Sequence, residues 1–148
     1  MADTSTAALI CDTGALLDYL VEGATDHERF RVGIERARTR YLPGLVLAEV
    51  DYFLRAERPA MNAFMSDVAS GAFTYAPPSL DQLARAMEID RRYHHLSLGL
   101  VDASVVALAE ELGLRRIVTR DVRHFSAVRL RDGSAFELVV RPSRPDES

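Results

Sequence analysis

The sequence predicts an α/β fold in which a mostly parallel sheet is covered by helices on both faces. Three observations predict it. Short strand-like runs at residues 7–11 and 115–119 alternate along the chain with amphipathic stretches of helical period. Each run is followed at once, or within two residues, by a carboxylate, Asp12 and Asp121. That is where open parallel sheets bind ligands, beyond the carboxyl ends of their strands. Finally, 148 residues without an internal repeat or a separating linker suit one domain with one core. Residues 1–140 are expected to form it, and the polar end RPSRPDES, residues 141–148, to be a disordered tail.

Residues 7–11 read as a buried strand, and 13–22 as a helix that Asp12 can cap. Thr25 with Glu28 has the spacing of a capping box and opens a helix to about residue 39. Pro43 stands near the start of a helical segment, 44–57. Pro59 opens and Gly71 closes another, with Met61, Phe64, Met65 and Val68 in one stripe. AFTYA, residues 72–76, alternates like a strand. Ser79 and Gln82 form a second capping box, ahead of a helix carrying Leu80, Leu83, Ala84 and Met87. Residues 100–113 form an apolar helix, 115–119 a strand and 136–140 a last strand.

Composition narrows the chemistry. The one cysteine, Cys11, lies inside an apolar run and reads as a small core residue, so a disulfide framework is excluded and a reducing compartment fits. The polar start MADTSTA and the lack of a membrane-length apolar run point to the cytoplasm. All 18 basic residues are arginine. Chemistry that needs a Schiff-base or phosphate-loop lysine is thereby excluded. A phosphoaspartate enzyme is disfavoured for the same reason and because Asp12 is followed by Thr13 and Gly14 rather than by a second acid.

Four carboxylates draw attention. Asp12 ends the first strand. Glu49 shares a helical face with Leu45, Val46, Tyr52 and Phe53, the face expected to pack inward, whereas Asp51 stands four residues before Arg55 as an exposed pair. Asp102 occupies the first turn of a helix apolar nearly all round, where the helix dipole favours an anion. Asp121 follows RRIVT. Each taken singly has a bland role, as a cap, a turn residue or an acid reaching water. Together they need cations: two carboxylates ~4 Å apart repel by about 4 kcal/mol at an effective dielectric of ~20. Oxygen donors without cysteine or paired histidines select hard ions, Mg²⁺ or Mn²⁺.

DTGALLDYL, PGLVLAEVDYFL, LSLGLVDASVVALAEELG and IVTRDVRHF, in this order, resemble the PIN domain, and within it the VapC ribonuclease toxins of bacterial toxin–antitoxin pairs. The resemblance runs from about Leu9 to Phe125. It implies a Rossmann-like three-layer α/β/α sandwich, with the family's four acids falling on Asp12, Glu49, Asp102 and Asp121. Asp12 and Asp102 would be the firmest Mg²⁺ ligands, and Thr119, beside Thr13, a supporting residue that orients the cluster. His94 and His95 replace an acid found in many similar sequences and are left out of the site.

What the resemblance implies is a metal-dependent endoribonuclease, a homodimer held in check by a cognate antitoxin. The ion would lower the pKa of a water directed at the phosphodiester, and no covalent nucleophile is needed. Setting aside the four acids removes the net charge of −4, and Arg91, Arg92, Arg115, Arg116, Arg120 and Arg123 are candidate contacts to an RNA backbone. The alternative is a non-catalytic PIN-like module that binds RNA or protein. The full set of self-repelling acids weighs against it.

Overall fold

The computed structural model describes residues 8–143; Ala7 of the first expected strand and residues 144–148 of the expected tail lie outside the described residues. Five strands form one sheet: β1 (Ala8–Cys11), β2 (Thr39–Pro43), β3 (Thr74–Ala76), β4 (Arg116–Val118) and β5 (Glu137–Leu138). Their order is β3-β2-β1-β4-β5, and every pairing is parallel. The helices are α1 (Thr13–Leu20), α2 (His27–Glu35), α3 (Gly44–Phe53), α4 (Arg58–Ala69), α5 (Leu80–Arg92), α6 (Gly99–Leu112) and α7 (Val122–Ala127). From β1 the chain steps outward to β2 and β3, then returns to β4 on the other side of β1. With right-handed crossovers, this reversal places α1 to α4 on one face and the α5–α6 hairpin on the other.

The core follows from the apolar runs. Leu9, Ile10, Cys11, Ile117 and Val118 are wholly buried, as central parallel strands must be. Helix α6 buries every residue from Ala103 to Ala109. It stops at Gly113, whose φ of 63° closes the helix in the left-handed region. The Arg85 guanidinium grips the Glu110 carboxylate through Nε and Nη2, at 2.8 and 3.0 Å, and ties α5 to α6. Ser79 and Gln82 make both hydrogen bonds of their capping box.

Several expectations are corrected. Strand β2 occupies residues assigned to a helix end and a linker, because Arg40 turns back to cap α2, donating to the carbonyls of Ile34 and Glu35. Helix α2 opens at His27 with Asp26, not Thr25, in the capping position. On α3 the inward residues are Val46 and Val50; Tyr52 and Phe53 are more than half exposed. Asp51 pairs with Arg58 at 2.9 Å, while Arg55 stacks on the Tyr52 ring. Helix α5 buries Ala86 and Ile89 and leaves Leu80 83% exposed, and Met65 faces outward from α4. Ser143, the last described residue, donates its backbone N–H to Asp26.

Candidate metal centre

The site begins with strand register. Cys11 pairs with Val118, so the residues leaving β1 and β4, Asp12 and Thr119, emerge side by side where strand order reverses. The Asp12 N–H extends the ladder to the Val118 carbonyl at 3.0 Å. Asp12 stands in the capping position of α1, yet its side chain makes no cap bond there. Instead Oδ2 accepts from Thr119 Oγ1 at 2.7 Å. Thr119 is fully buried, and the same oxygen accepts the Asp121 N–H at 2.9 Å, so one hydroxyl fixes two acids.

Two more elements deliver the remaining carboxylates. Thr13, the first residue of α1, donates to Glu49 Oε1 at 2.6 Å and holds that half-buried side chain of α3 toward the cluster. Asp102 projects from the first turn of α6. Asp121 caps α7, accepting the His124 N–H on Oδ1 at 3.0 Å. His124 then folds its ring back between two acids, with Nδ1 2.9 Å from Asp102 Oδ2 and 2.7 Å from Asp121 Oδ2. Each of Asp102, Asp121 and His124 offers one ligand atom, all within 4.8 Å of one another.

Electrostatics give the cluster its character. Burial pushes the Asp12 carboxyl up to about 6, against the lowering effect of the Thr119 hydroxyl, and the charges of Asp121 and Glu49 add to the rise. Asp102 is pushed up to about 7, first by burial and then by the charge of Asp12, while His124 opposes the shift. Groups so disposed hold protons or a cation at neutral pH. A divalent ion fits this donor set of convergent carboxylate oxygens.

Of the residues named in the sequence analysis, Asp12, Asp102 and Asp121 lie near enough for their charges to act on one another, Glu49 acts on Asp12, and Thr119 and Thr13 hydrogen-bond to Asp12 and Glu49. His124 was missed, although its spacing of three residues from Asp121 in a helical turn puts the two on one face. His94 and His95 are exposed on a short 3-10 turn, His94–Leu96. Three of the candidate RNA-binding arginines are placed elsewhere. Arg120 turns away from the acids, reaching Asp18 at 2.6 Å and Asp26 at 2.8 Å. Arg115 and Arg116 line a cleft of about 820 Å³ at the amino ends of the strands, the far edge of the sheet from the acids. Arg91 and Arg92 are exposed at the end of α5, beside the start of α6.

Comparison with known proteins agrees with this geometry. The family model described as the PIN domain matches residues 9–130. Ribonuclease VapC26 of Mycobacterium tuberculosis is 33% identical over 134 residues, spanning 88% of this chain and 99% of that protein. The crystal structure of M. tuberculosis VapC20, a toxin that cleaves the sarcin-ricin loop, superposes with a TM-score of 0.67 at 20% identity, covering 74% of this chain and 86% of that one. A toxin–antitoxin complex from Klebsiella pneumoniae superposes with a TM-score of 0.65 at 21% identity, covering 81% and 92%. At such identities the two superpositions speak to the fold.

Proposed function

The chain belongs to the PIN-domain family, and on that premise we propose that it is a metal-dependent endoribonuclease, the toxin of a toxin–antitoxin pair. The observation that carries the proposal is the convergence of carboxylates from four separate elements: Asp12 and Asp121 tied to the buried Thr119 hydroxyl, Asp102 and Asp121 flanking His124 Nδ1, and Glu49 held by Thr13 beside Asp12. An isolated structural cap needs one acid. A self-repelling set, two of whose members have carboxyls raised toward neutrality, is suited to a cation.

Asp12 and Asp102 are the proposed principal ligands, with Asp121 and Glu49 completing the oxygen set for Mg²⁺ or Mn²⁺. Bound there, the ion supplies a Lewis acid that lowers the pKa of water and offsets charge on a phosphodiester. The chain's own part is orientation. Thr119 locks the Asp12 carboxylate and the Asp121 backbone, and Thr13 keeps Glu49 from turning to solvent. Covalent catalysis through the thiol is ruled out by position: Cys11 is fully buried, and burial pushes its pKa far up. Arg91 and Arg92 are proposed to contact the RNA backbone, since they are exposed next to Asp90, which accepts the N–H of Gly99 at the start of the helix that carries Asp102. A cognate antitoxin, a homodimer and a cytoplasmic location belong to the same proposal. No helix among the described residues is long and apolar enough to cross a membrane.

The test is cleavage of total cellular RNA by purified protein with Mg²⁺ or Mn²⁺ and with EDTA, beside Asp102→Asn. Discrete fragments that require metal and vanish in the variant are expected. RNA left equally intact by both folded, metal-supplied proteins would turn the assignment toward a binding module.

A further inference from the structure

We infer that His124 is itself a ligand of the ion through Nδ1, so that the centre has a mixed oxygen and nitrogen shell rather than the all-oxygen one its acids suggest. The inference rests on the acids being a metal centre. It comes from spacing. Adjacent ligands of a six-coordinate ion with bonds of ~2.1 Å lie ~3 Å apart. Nδ1 stands 2.9 Å from Asp102 Oδ2 and 2.7 Å from Asp121 Oδ2, so the nitrogen already has a neighbouring ligand's separation from each oxygen.

Two further features support it. The ring is held in place before any ion arrives: His124 is only 8% exposed, its backbone N–H is tied to Asp121, and the adjoining Phe125 packs edge-on against Phe136. The ring nitrogen also faces more acceptors than it can serve. One ring nitrogen stands between two carboxylates, whereas a cation at that point satisfies both oxygens and the nitrogen lone pair together. Coordination requires the neutral ring with its hydrogen on Nε2: a neutral ring carrying it on Nδ1 moves it to Nε2 through solvent, and a charged ring releases the Nδ1 proton to solvent. A nitrogen donor shifts preference away from Mg²⁺, which favours oxygen, toward Mn²⁺.

The experiment is electron spin-echo spectroscopy of Mn²⁺ bound to the purified protein, with Mn²⁺ and Mg²⁺ affinities measured by calorimetry, on wild type, His124→Gln and wild type labelled with ¹⁵N-histidine. The expected result is a histidine nitrogen coupling that changes with the label and disappears in His124→Gln. The variant should also lose about tenfold of its preference for Mn²⁺ over Mg²⁺. Bound Mn²⁺ without nitrogen coupling in the wild type would overturn the inference and leave the acidic centre standing, with His124 as a positioning residue. A coupling that persists in His124→Gln would overturn it as well. No Mn²⁺ binding to the folded wild type would remove both the inference and the metal centre it rests on.

Discussion

Asp102→Asn should make the metal-free protein more stable at pH 8 while removing its response to metal. The Asp102 carboxyl is raised from 3.8 to about 7, chiefly by burial and by the charge of Asp12. The folded chain therefore binds this proton more tightly than the unfolded chain. Its stabilising effect is fully present below about pH 4, fades as pH rises through about 7, and is absent above that. About three pH units at ~1.4 kcal/mol each set a ceiling near 4 kcal/mol. Asp102 and Asp12 share the strain and the Asp102 side chain keeps 18% exposure, so relief of about 1–2 kcal/mol is the reasonable expectation. Asparagine retains an oxygen that can accept from His124. In a chain of this length each kcal/mol moves Tm by ~2–4 °C, so the variant should melt about 3–6 °C higher. The assay is thermal unfolding followed by circular dichroism in EDTA at pH 8 and pH 5, repeated with Mn²⁺. The gap should shrink at pH 5, and Mn²⁺ should raise Tm of the wild type far more than that of the variant. A variant that melts lower than wild type in EDTA, by the same amount at both pH values, would refute the account of a strained buried charge.

Other perturbations probe the frame around the site. Thr119→Val removes a donor to Asp12 and an acceptor for the Asp121 N–H, and should lower stability by about 1–3 kcal/mol and RNA cleavage with it. Thr119→Ser should restore most of both, as read by melts and cleavage rates. Arg120→Ala leaves the nearly inaccessible Asp26 with only the longer Arg29 contact at 3.6 Å as a cationic partner among the described residues and should cost about 1–3 kcal/mol in urea unfolding. Adding Asp26→Asn to that variant should recover part of the loss, and no recovery would assign the effect to packing. Gly44→Ala places a Cβ 2.7 Å from the Pro77 Cα, a backbone atom that cannot swing aside, and should destabilise by about 1–3 kcal/mol in the same assay. Arg91→Ala should flatten the salt dependence of RNA binding, while Arg115→Ala, at the far edge of the sheet, should leave the slope unchanged.

Local physics was legible in the sequence. The capping box at Ser79 and Gln82, the all-round apolar helix from Ala103 to Ala109 and the carboxylates after two buried strands are properties of a few neighbouring residues, and the structure contains each of them. Periods of 2 and 3.6 also sufficed for the alternation of strands and helices, and hence for the parallel sheet. Strand β2 escaped because its polar first residues, Thr39 and Arg40, carry no apolar alternation; Arg40 is committed to the end of the preceding helix.

What only the tertiary structure decided depends on partners distant along the chain. Whether Tyr52, Phe53 or Leu80 is covered is a matter of which element packs on that side, and their own helices cannot say. Arg120 adjoins Asp121, yet its charge is taken up by Asp18 and Asp26 from the other end of the chain. His124 is an ordinary histidine in a short helix until α6 brings Asp102 to its ring. The sequence by itself named the acids and the order of the elements other than β2. The register of Cys11 with Val118, set by pairing across more than a hundred residues, decided that Asp12 and Asp121 stand side by side and that Thr119 orients both.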